Sequence, residues 1–195
     1  MKIGIVTFYD DDAVEYGLIT AENKRLYAER HGYGFECFTS KFDSSVPPQW
    51  SKIAACAAVM EKYDWLFWSD ADALIVKPER QLEEFIDENY NIILSADING
   101  VNTGNFFIRC GDWGRSLLDQ IYSGRNIMDV AWEQSMLLRL LHGNLSIRAR
   151  AKLMGDTFNS FYYQPTWGFI VHLIGMPHRP RAEILRFLGP SPKAV

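Results

Sequence analysis

Two carboxylates one residue apart, Asp70 and Asp72, close the apolar run Trp65-Leu66-Phe67-Trp68-Ser69, and apolar residues resume at Ala73. In an extended segment the side chains at i and i+2 share one side. The spacing therefore aims both acids into one space at the end of a buried strand. Like charges there repel and lose hydration, and a cation or a hydrogen-bonded ligand between them relieves both costs. Hard oxygen donors favour Mg²⁺ or Mn²⁺. The chemistry this suggests is a metal–diphosphate site.

Other residues could serve the same chemistry. Thr7, Phe8 and Tyr9 fall at the carboxyl end of the first strand, where open α/β sheets collect ligands, so a base or ribose contact is expected there. Lys52 lies in the first turn of a helix that runs into the carboxylate strand. It is either an ordinary surface lysine or a phosphate or sugar contact. Glu133 and Gln134 head the apolar stripe Met136, Leu137, Leu140 and Leu141. Polar groups in that position need partners, structural or functional. His172 sits in the last apolar run, and taken alone it fits a hydrogen-bonded core histidine.

The elements that must position these residues follow from periodicity. Strands are expected at 2–8, 33–39, up to the carboxylate pair, 91–96, 104–110 and 169–175, with shorter strand-like pieces at 145–150 and 152–157. Helices are expected at 13–31 closed by Gly32, 51–62, 78–89 opening at Pro78, 112–122 and 130–142. The segment 40–49 reads as a loop, and the proline- and arginine-rich tail from Met176 wraps or frays. Alternating strands and helices imply an α/β domain with a mostly parallel sheet flanked by helices. Gly32 and Gly34 close a helix instead of opening one, which excludes a nicotinamide-type dinucleotide fingerprint.

At 195 residues one well-cored domain suffices. A net charge of −4 and the lack of any Lys/Arg run argue against nucleic acid as a partner. The three cysteines are odd in number and widely spaced, with no Cys-x-x-Cys pair, so they read as reduced core residues and not a zinc knuckle. Met1-Lys2 leads straight into a strand, so no signal peptide is expected. No apolar run nears the ~20 residues of a transmembrane segment. The expectation is a soluble, cytoplasmic chain.

The run Trp65 to Ala73 resembles the Asp-x-Asp signature of GT-A glycosyltransferases. Around it stand Trp50-Ser51-Lys52 upstream, Asn102-Thr103-Gly104-Asn105 beyond, then Trp132-Glu133-Gln134-Ser135, and finally His172-Leu173-Ile174-Gly175. This order is similar to glycosyltransferase family 34, the fungal and plant α-galactosyl- and α-xylosyltransferases. The likeness covers roughly residues 1–176, leaving 177–195 as a tail. It implies a single GT-A (Rossmann-like) catalytic domain. It also implies a retaining transfer of a hexose or pentose from a nucleotide diphosphate sugar, UDP-linked by preference, to a hydroxyl of a glycan or other acceptor. Carried over, Asp70 would contact ribose or metal, and Asp72 and His172 would ligate Mn²⁺ (or Mg²⁺). Asn102, Thr103 and Gly104 would shape the sugar pocket, with Gly175 closing the nucleotide site. Gln134 would lie beneath the anomeric carbon with Glu133 beside it. Where the family carries a late lysine this chain has Met176-Pro177-His178-Arg179, and Arg179 or His178 is expected to substitute. Trp113, Trp132, Tyr162, Tyr163 and Trp167 are candidate faces for an acceptor sugar. Two alternatives remain: a non-catalytic nucleotide-sugar or glycan binder on the same fold, and a haloacid-dehalogenase-type phosphatase, whose Asp-x-Asp is normally followed by Thr or Val where Leu74 stands.

Overall fold

A computed structural model describes residues 1–126, 131–164 and 166–189. A six-stranded sheet carries the domain in the order β2-β1-β3-β6-β5-β7. Its strands are β1 (Ile3–Phe8), β2 (Gly34–Phe38), β3 (Trp65–Ser69), β5 (Ile92–Asp97), β6 (Gly100–Arg109) and β7 (Ala151–Met154). β1 pairs in parallel with β2 and β3, and β5 with β7, whereas β6 runs antiparallel to both neighbours. The sheet is thus mostly parallel, as the alternation of elements predicts. β4 (Ala73–Ile75) and β8 (Ile170–His172) form a separate antiparallel pair.

Period-two alternation sorts the core. Val6, Phe8, Leu66 and Trp68 face α2 (Ser51–Val59), α3 (Asp112–Ser123) and α4 (Trp132–Gly143). Ile3, Ile5, Trp65 and Phe67 face the other way, where they meet Tyr27 and Ala28 of α1 (Val14–His31) and the rings of Phe85, Phe158 and Phe169. Helix α1 ends as expected at Gly32, whose left-handed φ of 74° lets its N–H reach back to Ala28 and Glu29.

Several expected elements differ. The helix expected at 78–89 is one 3₁₀ turn, Leu82–Phe85, because a capping box between Gln81 and Glu84 closes it and Ile86 is already extended. The piece at 145–150 is not a strand. Asn144 accepts hydrogen bonds from the N–H groups of Ser146 and Ile147 and starts the short helix α5 (Leu145–Arg148). The next piece is β7 followed by a 3₁₀ turn at Asp156–Phe158. The last strand shortens to three residues. The helix expected from 130 begins at Trp132, and residue 130 lies outside the described residues, as do 190–195. The tail wraps as a helix, α6 (His178–Leu188), which buries Ala182 and Leu185 in a small cluster with Ala13 and Tyr16. No helix among the described residues is long and apolar enough to cross a membrane.

Candidate active site

Asp70 and Asp72 converge through a turn and not through extended backbone. The Ala73 N–H donates to Asp70 O at 3.1 Å, and the chain swings from the large sheet into β4. The carboxylates still meet in one space, with the His172 imidazole as a third member. One ligand atom from each of the three lies within 4.8 Å of the others. His172 Nε2 is 3.0 Å from Asp72 Oδ1 and 3.8 Å from Asp70 Oδ2. Asp72 and His172 are a hundred residues apart in sequence, and the β4–β8 pairing, which sets Ala73 opposite His172, brings them together. The imidazole is aimed by its other nitrogen. Nδ1 stands 2.9 Å from Asn159 Oδ1, an atom that can only accept, so Nδ1 carries the proton and Nε2 is turned toward the acids. Gly104 makes room for it, since a Cβ at this position would overlap the His172 ring. Two carboxylates and an oriented imidazole are a donor set that fits Mn²⁺ or Mg²⁺.

Burial alone would raise the Asp72 pKa, but His172 and Arg181 outweigh it and hold the carboxyl below the usual aspartate range. Arg181, from α6, lies 3.4 Å from Asp72 Oδ2 and donates to the Tyr16 hydroxyl at 3.0 Å. Arg179 is 89% exposed and pairs with Glu183 of its own helix, whereas Arg181 and His178 line the cleft.

A second cluster abuts the first. Lys52 donates to Glu133 Oε1 at 2.8 Å and Thr103 O at 2.9 Å, and lies 3.1 Å from Asp70 Oδ1. Burial opposes its charge, but Asp70 and Glu133 outweigh burial and raise its pKa. Thr103 Oγ1 donates to Glu133 Oε1 at 3.0 Å, and the Thr103 N–H donates to Gln134 Oε1 at 3.0 Å. Glu133 Oε2 is buried without a partner. Trp132, just before this pair, has φ of 41°, the one positive-φ non-glycine among the described residues. The Thr103 backbone is free for these contacts because β6 carries excess residues. Its pairing with β5 steps from Phe106 opposite Leu94 to Asn102 opposite Ser95. Thr103, Gly104 and Asn105 thus have no β5 partner, and Gly104 O instead accepts the Asp70 N–H at 2.8 Å. Asn102 closes the loop, donating to Asp97 and accepting from the Gly104 N–H at 2.7 Å.

A cleft of about 610 Å³ opens over the acid turn. Of the expected site residues, Phe8, Tyr9, Lys52, Asp70 and Asp72 line it. Thr7, Asn102, Thr103, Glu133 and His172 are buried, with Gln134 half-buried beside Thr103. Gly175 adopts a left-handed φ of 69° soon after β8.

Sequence reasoning missed the groups behind the turn. On α1, Thr20 Oγ1 donates to Ala71 O at 2.6 Å, and Lys24 Nζ donates to Asp70 O and Ala73 O at 2.8 and 2.9 Å. Asn23 exchanges two hydrogen bonds with the Ile75 backbone. Burial pushes the Lys24 ammonium down to about 7, against the upward pull of Asp72 and Asp70. The i, i+3, i+4 spacing of these three polar residues was the available signal. Arg181 lay in a tail that offered no pattern to assign it.

The sequence matches the galactosyl transferase GMA12/MNN10 family over residues 5–88 and 87–176. It is 26% identical to an uncharacterized alpha-1,2-galactosyltransferase of Schizosaccharomyces pombe, over 80% of this chain and 62% of that protein. It is 25% identical to the probable alpha-1,6-mannosyltransferase MNN10 of Saccharomyces cerevisiae, over 73% of this chain and 47% of that protein. The chain thus spans about half to three-fifths the length of these relatives. In fold it is similar to a glycosyltransferase involved in the glycosylation of the major capsid of PBCV-1. The TM-score is 0.77 at 17% identity, covering 96% of this chain and 100% of that one.

Proposed function

The chain belongs to the galactosyl transferase GMA12/MNN10 family, and from that premise we propose that it is a metal-dependent retaining glycosyltransferase moving a hexose or pentose from a nucleotide diphosphate sugar, UDP-linked by preference, to a hydroxyl of a glycan. The observation that carries this is the convergence of Asp70, Asp72 and His172 within 4.8 Å beside the cleft. Family membership sets the phosphatase alternative aside.

Asp70, Asp72 and His172 would hold the cation. When bound, it supplies Lewis-acid stabilisation of the charge that the diphosphate gains as the glycosidic bond breaks. Phe8 and Tyr9 line the end of the cleft where a base and ribose would lie, with Thr7 beneath. Arg181 adds a fixed positive group beside Asp72, positioned to face the phosphates in place of the family's late lysine. Lys52 has takers for its protons in Asp70, Thr103 and Glu133, so it tunes and orients Asp70 while Glu133 balances its charge.

Gln134 would lie beneath the anomeric carbon. Its Oε1 already accepts from the Thr103 N–H at 3.0 Å, and an amide oxygen so engaged is a poor nucleophile. This favours departure and attack on the same face of the sugar through an oxocarbenium-like state. The leaving phosphate oxygen then takes the proton of the acceptor hydroxyl. Trapping of a glycosyl adduct on Gln134→Glu by mass spectrometry would favour double displacement instead.

The acceptor side is read from the turn after Asn159. Ser160 pairs in parallel with Val171, so Phe161 emerges beside His172 at the same end. Phe161 stacks on Tyr163 at 5.4 Å, and Gln164 pins the turn to the Phe161 N–H and to Asp156. Tyr163, 67% exposed, presents a rigid flat face for a pyranose.

The test is release of free nucleoside diphosphate from UDP-, GDP- and dTDP-sugars, with and without Mn²⁺. Mn²⁺-dependent release that rises with added glycan is expected. Sugar-nucleotide binding with no turnover would identify a binder.

A further inference from the structure

The backbone that presents the two acids is gripped from behind by a single helix. Thr20, Asn23 and Lys24 of α1 occupy four carbonyls around the turn and its exit: Asp70, Ala71, Ala73 and Ile75. Lys24 and Thr20 are fully buried. A buried ammonium is costly to place, and this one donates to two backbone carbonyls, with no carboxylate at bonding distance. The donors are spent on the one segment that holds two carboxylates close, where Lys52 and Arg181 offset only part of their repulsion. On the opposite side Gly104 O anchors the Asp70 N–H. The turn is therefore fixed at its entrance, middle and exit.

We propose that Thr20, Asn23 and Lys24 are positioning residues that preset the acid turn for a divalent cation, so that cation affinity is governed from a helix that does not touch the ion. The proposal rests on the reading of Asp70, Asp72 and His172 as the cation site. The physical reason is that the strain of holding like charges together is met on folding and is not subtracted from binding. Loss of one grip lets the turn relax, and part of that cost returns to the binding step.

The experiment is electron paramagnetic resonance titration of Mn²⁺ with wild type, Thr20→Val, Thr20→Ser, Lys24→Met and Tyr27→Phe. Thr20→Val preserves shape and charge and removes the hydroxyl that bonds Ala71 O at 2.6 Å and, within its own helix, lies 3.3 Å from Gly17 O. It is expected to weaken Mn²⁺ about tenfold, with Lys24→Met weakening it at least as much, in the range known for groups that orient metal ligands. Thr20→Ser should restore the affinity. Tyr27→Phe removes the α1 bond to Arg80 O, away from the turn. It should lower the melting temperature and leave Mn²⁺ affinity unchanged, which separates presetting from general loosening. If Lys24→Met does not fold, Thr20→Val with its serine rescue decides the matter alone. Affinities within twofold of wild type in Thr20→Val overturn the proposal and leave the cation site standing. No Mn²⁺ uptake by wild type overturns the cation site itself, and this proposal with it.

Discussion

Two buried ammonium groups approach the acid turn from opposite faces of the sheet, and they are satisfied in opposite ways. Lys52, on the α2 side, has carboxylates at hand in Asp70 and Glu133. Lys24, on the α1 side, has only carbonyls within bonding distance. The first is part of the charge balance of the cleft; the second is part of its geometry. Similar burial therefore gives opposite shifts, upward for Lys52 and downward to about 7 for Lys24. The lesson is that a buried lysine is read by its partners and not by its depth.

The strongest break strikes the acids that both lysines serve. Asp72→Asn should remove Mn²⁺ uptake and cut transfer by about 10²–10³-fold, measured as nucleotide release. Lys52→Met strands Glu133 and Asp70 without their cation and should cost about 3–5 kcal/mol in urea denaturation. Lys24→Met leaves only carbonyls unpaired, a loss of about 1–3 kcal/mol, and a reversed ranking would break the contrast. A pH series sharpens it. Because the folded pKa of Lys24 is depressed, the unfolded chain holds more protons between about 7 and the ordinary lysine value of 10.5. That term makes stability rise with pH across this window, and Lys24→Met should flatten it. Lys52 has the opposite sign: its contribution is complete below the ordinary lysine value and is lost only above it. Away from both lysines, Tyr163→Ala should raise the acceptor KM about tenfold and leave acceptor-free donor hydrolysis unchanged, consistent with one lost stacking face. The smallest effect is expected from Arg179→Ala, within about 0.5 kcal/mol in stability, with the donor KM unmoved.

The sequence was most informative where residues act locally. The apolar run into Asp70 and Asp72, the Gly32 stop of α1 and the polar head of α4 all have short-range signals that the structure reproduces. Convergence was harder to see. Nothing near His172 announces that β8 pairs with β4 or that Asn159 orients its ring, because those contacts are between segments. Thr20 and Lys24 were hidden because an amphipathic helix normally turns such residues to water. Arg181 was hidden because proline and arginine mask the buried positions of α6, Ala182 and Leu185. The strand expected at 104–110 proved longer on its near side, since periodicity cannot register residues that bulge out of a ladder.

That bulge ties the length of the chain to its handedness of display. A strand alternates sides with every residue, so three excess residues, Thr103 to Asn105, reverse what lies beyond them. Phe106 and Ile108 thereby face the α2–α4 layer while Phe107 faces the other way. The tip at 97–100, where Ile98 stands in solvent, lies outside that constraint. Parity thus makes a change of one residue in the bulge costly and a change at that tip cheap.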